Sequence, residues 1–386
     1  MKTLIIGAGS DLGVHIDGAH IGPVQLASDL QSFYKGDKLS FIQDESILKS
    51  RNLSDRRKNE YDIDKFNTSV YKAIVENYKE DIFPILLGGD HSVAVASALA
   101  SAKKYTDIGI IWIDAHGDFN TFDTTITGNI HGLPLAAITG YKNHELRYFH
   151  DGNTINPQNA VVVGARSLDP AEKDNLRYAG VTVFTTEDIK NRGVDSVMNE
   201  AFEIASKRTK GVHISYDLDI IDPTLAPGVS VPEFDGITIE EAMAINKNVI
   251  NHFDKVVSYD LVEYNPLRDI DRKTEQIAIN LVAQIIKNAE KKDKYGKIDL
   301  TQHQAEQYKV KIVPPKEEQT EQNPGFKIVP PSESNEEPKP TETVPQETQP
   351  SVEPTKTEEP VAQPTETQQP IPTETQQPTL PQLERL

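Results

Sequence analysis

Short apolar runs alternate with amphipathic stretches along most of this chain. Runs of buried-strand character occur at roughly 2–7, 83–87, 108–114, 160–164, 181–184, 211–217 and 255–261. They are near-continuously apolar, the pattern of parallel strands covered on both faces. Between them lie stretches with helical spacing near 22–34, 64–80, 92–104, 169–179, 195–207, 238–250 and 272–290. Ser92–Lys104 is alanine-rich, as suits a helix packed closely on a sheet, and Leu281-Val282-Ala283-Gln284-Ile285-Ile286 belongs to a last amphipathic helix. This alternation predicts an α/β fold with a mostly parallel sheet covered on both faces. In such sheets ligands bind beyond the carboxyl ends of the strands.

After Leu300 the pattern fails. Lys311-Ile312-Val313-Pro314-Pro315 recurs as Lys327-Ile328-Val329-Pro330-Pro331, and 16 of the 25 prolines lie after Ala305. A segment dominated by Pro, Glu, Thr and Gln cannot bury enough apolar area to offset an ordering entropy of about 1–2 kcal/mol per residue. Two parts follow: a domain over 1–300 and a disordered low-complexity tail over 301–386. The tail reads as a solubilising segment; the alternative is a recognition tail whose two KIVPP copies contact a partner of unknown kind.

Charge narrows the partners. The net charge is −19, of which the last 82 residues carry −8 and the rest −11. Both parts are acidic, which argues against nucleic acid and against an anionic membrane surface. No cysteine is present, so disulfides and thiolate ligands are excluded. The first apolar run is too short for a signal peptide and reads as the first strand. No stretch approaches 18 apolar residues. A cytoplasmic location is the default expectation.

Three of the strands end in ligand chemistry. They read Ile85-Leu86-Leu87-Gly88-Gly89-Asp90-His91, Ile110-Ile111-Trp112-Ile113-Asp114-Ala115-His116-Gly117-Asp118 and Val212-His213-Ile214-Ser215-Tyr216-Asp217-Leu218-Asp219. Residues two apart on a strand share a face. Asp114, His116 and Asp118 would project together if their strand continues that far, as would Asp217 and Asp219. Mixed carboxylate and imidazole donors suit Mn²⁺ better than Mg²⁺, Fe²⁺ or Zn²⁺. Four carboxylates and two imidazoles are too many for one catalytic ion with an open position. They suit two ions about 3.5–4 Å apart that share a bridging water.

Ordinary readings stand beside these. Asp90 can serve only as a helix cap. His213 lies inside a buried run and reads as a satisfied core histidine. His15, His20, His144, His150, His252 and His303 have no companions and read as non-ligands. The basic cluster Arg51, Arg56, Arg57 and Lys58 is interrupted by Asp55 and Glu60 and reads as a solvated loop. Gly7-Ala8-Gly9 lacks the spacing of a dinucleotide fingerprint.

The motifs resemble the ureohydrolase family, arginases most closely, over about 1–290. The resemblance rests on Gly88-Gly89-Asp90-His91-Ser92, Asp114-Ala115-His116-Gly117-Asp118, Ser215-Tyr216-Asp217-Leu218-Asp219 followed by Asp222-Pro223, and Val262-Glu263-Tyr264-Asn265-Pro266. It implies a three-layer α/β/α sandwich with a parallel sheet of about eight strands, assembled as trimers or hexamers. It implies two Mn²⁺ ions held by His91, Asp114, His116, Asp118, Asp217 and Asp219. The segment Asn120 to Pro134 looks like the arginase substrate loop. By that match Asn120, Thr125, Thr127 and Asn129 bind an α-carboxylate, His131 shuttles protons, and Asp169, with Glu172 in the same motif, reads the α-ammonium group. Glu263 would hold the guanidinium, and Asp118 would take a hydrogen bond or proton from the attacking hydroxide.

Some positions depart from the arginase pattern. Ser230-Val231-Pro232-Glu233-Phe234-Asp235-Gly236 replaces the usual Gly-Thr-Pro and double glycine, so Val231 stands for a threonine whose hydroxyl helps orient the guanidinium-binding glutamate. Ser167 replaces a frequent aspartate, and Thr127 a frequent serine. The resemblance implies hydrolysis of L-arginine to L-ornithine and urea through a metal-bridging hydroxide. A formiminoglutamase or another guanidino-acid ureohydrolase is the rival, favoured by Val231. A metal-binding scaffold with a partner-recruiting tail is the rival from another class. A scaffold would not need Glu263 or His131.

Overall fold

In the computed structural model the described residues are 1–33, 38–43, 56–142 and 145–293. The tail from 301 to 386, Arg51, His144 and His303 lie outside them. Eight strands form one sheet: β1 (Lys2–Gly9), β2 (Lys38–Gln43), β3 (Ile82–Gly88), β4 (Gly109–Ile113), β5 (Ala160–Ala165), β6 (Thr182–Thr185), β7 (Val212–Asp217) and β8 (Val256–Val262). Their order is β2-β1-β3-β8-β7-β4-β5-β6. Every neighbouring pair is parallel, so the expected sheet is borne out.

The helices are α1 (Gly22–Phe33), α2 (Glu60–Asn77), α3 (Ala94–Tyr105), α4 (Pro134–Ile138), α5 (Pro170–Ala179), α6 (Thr186–Arg192), α7 (Val194–Ala205), α8 (Ile239–Asn251) and α9 (Lys273–Asp293). They divide between the two faces, because successive strand residues point to opposite sides. Ile111, Ile113, Val161 and Val163 pack with side chains of α1, α6, α7, α8 and α9. Ile110, Trp112 and Val162, on the alternate positions, pack with α2, α3 and α4. The result is the three-layer α/β/α arrangement. All residues from Ala94 to Ala102 of α3 are buried, which explains its alanine content: only small side chains let a helix lie this close to the sheet.

Three elements are absent from the pattern-based reading. Among the described residues β2 pairs only with β1, at the sheet edge, where a strand needs little apolar signal. α4 spans five residues and begins with a proline. α6 is separated from α7 by Gly193 at φ 81° and has its own capping box, Thr185 with Asp188. Among the described residues no helix is long and apolar enough to cross a membrane.

The strands β3, β8, β7 and β4 are adjacent at the sheet centre, so their carboxyl ends open side by side. Gly89 permits the closest approach there. A Cβ on it would lie 1.8 Å from Ser10 O, and the Asp90 N–H donates to that same carbonyl at 2.8 Å.

Candidate functional site

The expected ligands converge at these four strand ends, but not by strand alternation. β4 stops at Ile113, and a loop carries Asp114, His116 and Asp118. Its turns are local: Asp114 Oδ1 accepts the His116 N–H at 2.6 Å, and Asp118 sits at φ 48°, a conformation uncommon outside glycine. Asp217 closes β7 and caps the next turn, with Oδ1 accepting the Asp219 N–H at 2.8 Å.

Two overlapping groups result. His91, Asp114 and Asp118 form one, and Asp114, His116 and Asp219 the other, each with its donor atoms within 4.8 Å of one another. Asp114 belongs to both. Asp217 joins the first, its Oδ2 lying 3.1 Å from His91 Nδ1.

Whether a cation fits is decided at His91. Its ring stacks on Trp112 at 3.8 Å and 9°, and its Nε2 lies 2.8 Å from Ser215 Oγ. With the proton on Nε2, the Nδ1 lone pair faces Asp114 Oδ2 at 3.0 Å, Asp118 Oδ2 at 3.2 Å and Asp217 Oδ2 at 3.1 Å. Nδ1 makes no hydrogen bond, and all four side chains are buried. Converging lone pairs of hard donors are the surroundings of a divalent ion. The Trp112 indole N–H donates to Asp114 Oδ2 at 2.9 Å, orienting a ligand from behind.

The electrostatics agree. Burial, reinforced by the Asp114 charge, pushes Asp118 up to about 6. Burial and neighbouring carboxylates also raise Asp217 and Asp219. Burial opposes ionisation of Asp114 too, but the adjoining His116 and His91 outweigh it and hold its carboxyl below the usual range. Burial works against charge on His91 and His116, yet the surrounding aspartates prevail and raise both well above the ordinary imidazole range; four carboxylates outnumber two imidazoles here.

Glu263 follows β8 at φ 67°. Its N–H donates to Gly89 O at 2.7 Å, and its Oε1 accepts the His91 N–H at 2.8 Å and faces His131 Nδ1 at 3.1 Å. Oε2 is buried without a hydrogen bond. Burial works against charge on His131, yet the Glu263 contact prevails and raises its pKa. Asp90 behaves as a cap: Oδ1 accepts the Ser92 N–H and Oδ2 the Gly13 N–H, each at 2.9 Å.

The loop residues bond to one another and to the start of α5. Asn120 Nδ2 donates to Asp169 Oδ2 at 3.1 Å. Thr125 Oγ1 accepts the Gly128 N–H at 3.0 Å, and Thr127 Oγ1 the Asn129 N–H at 3.1 Å. Glu172 completes a capping box with Asp169 at the start of α5. Its oxygens accept the N–H groups of Phe119 at 2.9 Å and Asp169 at 3.2 Å.

Two residues here escape pattern reading. Glu233 brings Oε1 to 3.5 Å from His116 Nε2; its only signal is its place in the departing Ser-Val-Pro-Glu segment. Lys58 corrects the solvated-loop reading of the basic cluster: it is 5% exposed and bonded to the 120–134 segment at Thr127 O and Asn129 Oδ1. Charge runs usually mean solvent, and nothing local marks the exception. His213 is the satisfied core residue expected of it, 2.9 Å from Asp260 Oδ2 and 3.3 Å from Ser101 Oγ.

Comparison with known proteins places this architecture. The Arginase family model matches residues 1–287. An arginase of Bacillus caldovelox is 34% identical over 297 residues, 74% of this chain and 98% of its own. The native structure of arginase from Bacillus caldovelox at pH 5.6 matches with a TM-score of 0.67 at 33% identity, covering 74% of this chain and 98% of its own. An arginase from Entamoeba histolytica, solved in complex with L-ornithine, gives a TM-score of 0.68 at 26% identity over the same shares. On sequence and fold alike, this chain belongs to the arginase family, hydrolases acting on carbon–nitrogen bonds of linear amidines.

Proposed function

We propose that the chain is a two-manganese arginase that hydrolyses L-arginine to L-ornithine and urea. The observation carrying this reading is the pair of donor groups sharing Asp114, set beside Glu263 and His131. The Entamoeba histolytica relative, solved with L-ornithine, supports the product class. His91, Asp114, Asp118 and Asp217 would hold one ion, and Asp114, His116 and Asp219 the other. Bound there, the ions would lower the pKa of water from 15.7 toward about 7 and make a nucleophile available at neutral pH.

The remaining work falls to side chains. Glu263, with Oε2 buried and free of hydrogen bonds, accepts guanidinium N–H groups and fixes the orientation of the carbon to be attacked. Asp118 takes a hydrogen bond or a proton from the attacking water. His131 passes a proton to the departing amine, a role worth about 10²–10⁴-fold in rate. Asn120, Thr125, Thr127 and Asn129 face the α-carboxylate, and Asp169 with Glu172 the α-ammonium group. Water adds to the guanidinium carbon, the bond to the chain nitrogen breaks, and urea and the protonated amine leave. An assembly of three or six copies and a cytoplasmic location complete the reading.

Val231 favours a second one, a formiminoglutamase or another guanidino-acid ureohydrolase, since it offers no hydroxyl to Glu263. Side-by-side assays of Mn²⁺-loaded protein separate them: urea from L-arginine and agmatine, formamide from formiminoglutamate. Turnover of L-arginine above the other two is expected. Preference for formiminoglutamate would transfer the assignment to the second reading.

A further inference from the structure

We propose that Lys58 is a specificity-determining residue that reads the carboxylate of the substrate together with Asn129. The inference rests on the guanidino-acid reading above and sharpens it.

Lys58 belongs to the run Arg56-Arg57-Lys58-Asn59, which in the structure clamps two loops of the site. Arg56 Nη1 donates to Asp123 O at 2.7 Å. The Arg57 guanidinium lies 4.1 Å from the centre of the Phe122 ring. Asn59 Nδ2 donates to Leu12 O at 2.8 Å. Between them the Lys58 ammonium donates to Thr127 O and to Asn129 Oδ1, the latter at 3.4 Å.

Both acceptors are neutral. Among the described residues no carboxylate lies within ion-pair distance of this ammonium, although the residue is only 5% exposed. A buried lysine is almost always paired, because burying a cation without a counter-charge is costly unless the charge is used. Hydrogen-bond acceptors alone hold the ammonium in place and leave its charge unmatched. The missing partner is an anion delivered by a ligand.

The ligand's other end is set by the same loop. Two residues beyond Asn129, His131 Nδ1 lies 3.1 Å from Glu263 Oε1. Two residues of extended chain span at most about 7 Å. One short loop therefore touches the Lys58 ammonium at Thr127 and Asn129 and Glu263 at His131, and Glu263 Oε2 is left without a hydrogen bond. A small molecule with a guanidinium or amidine at one end and a carboxylate at the other matches both. A guanidino amine matches only Glu263.

The test uses the full-length, Mn²⁺-loaded protein with Lys58→Met, Lys58→Gln and Lys58→Arg. L-arginine is compared with agmatine, which lacks the carboxylate. Losing one charge-assisted hydrogen bond weakens binding about 10- to 100-fold. Lys58→Met is expected to raise KM for L-arginine by that factor with a much smaller change in kcat. The ratio of kcat/KM for L-arginine over agmatine should fall at least about 10-fold. Lys58→Gln keeps a donor for Thr127 O but no charge and should behave alike; Lys58→Arg should restore most of the ratio. Calorimetry supplies a readout without turnover: L-ornithine binding should weaken more than binding of 1,4-diaminobutane. Equal losses for both members of each pair would reduce Lys58 to a loop brace and overturn the proposal, as would an unchanged ratio. Wild-type protein silent on both substrates would sink the arginase reading instead, and the two calorimetric affinities would then decide Lys58 alone.

Discussion

Two histidine–carboxylate clusters lie in the central strands, and they differ in balance. Inside the sheet, His213 of β7 meets Asp260 of β8 at 2.9 Å, both wholly buried. Ser97 donates to the same Asp260 oxygen, and Ser101 faces the other ring nitrogen of His213. One imidazole answers one carboxylate. At the strand ends, four aspartates crowd two imidazoles, and His91 Nδ1 is left without a hydrogen bond among three carboxylate oxygens. The residue types are the same and the burial nearly the same. The core pair matches one carboxylate with one imidazole, although Asp260 Oδ1 accepts no hydrogen bond, whereas the strand-end cluster is short of positive charge and so is built for something that arrives. Donor balance, not histidine or aspartate content, separates a structural pair from a site.

The largest expected effect comes from the ligand common to both groups. Asp114→Asn should remove the bridge and lower urea release by about 10³-fold or more, since metal activation of water is worth several kcal/mol. Metal analysis of the purified variant should find both ions weakened. Loss of one ion with most activity kept would show that the two groups do not share Asp114. The counterpart in the core is His213→Ala. Removing one member of a buried pair destabilises by about 3–5 kcal/mol, read as a lower denaturation midpoint, while the metal content of the folded fraction stays that of the wild type. A change in metal content would mean that the two clusters are coupled and the contrast between them false.

Most of this was legible from residues, and what was not has a physical cause. The strand ends show in sequence because an apolar run that stops at Asp or His breaks a period sharply, as at Ile113-Asp114 and Tyr216-Asp217. The convergence of Asp114, His116 and Asp118 was legible only in outcome: the strand alternation that suggested it ends one residue too early, and a left-handed Asp118 does the turning. Glu263 likewise reaches His91 and His131 through positive φ, which no single-residue pattern announces. Lys58 and Glu233 stay hidden because their partners lie 69 or more residues away. The edge strand β2 has one neighbour and a correspondingly weak pattern.

Metal removal should give a smaller effect that still tests the imbalance. A ligand present at 100-fold over its Kd stabilises by about 2.7 kcal/mol, so chelation should lower Tm by about 5–10 °C in a domain of this size. Asp217→Asn should reverse the sign. In the chelated protein it relieves crowding among carboxylates and raises Tm, and in the loaded protein it lowers Tm. If the variant destabilised both forms alike, the cluster would be balanced without metal, and its likeness to the His213–Asp260 pair would be restored.

Glu172 represents a third solution for a buried carboxylate, a bound proton, and the smallest expected effect tests it. Burial, with the Asp118 charge adding, pushes its carboxyl up from an ordinary 4.5 to about 8, although the Phe119 and Asp169 N–H groups pull the other way. Between those values the folded protein binds a proton that the unfolded chain has released. Stability from this group is therefore full below pH 4.5 and falls as pH rises through 8. Denaturant titrations of Mn²⁺-loaded protein from pH 5 to 8.5 should show stability falling as pH rises. Loading with Mn²⁺ keeps the strand-end aspartates from contributing, because a bound ion holds them ionised throughout. Glu172→Gln should flatten that slope, at a cost of about 1 kcal/mol at low pH for the acceptor it loses. An unchanged slope in the variant would place the proton elsewhere. Glu172 would then be an ionised helix cap held by two backbone N–H groups, and only two ways of settling a buried carboxylate, a protein partner and a metal, would remain in this molecule.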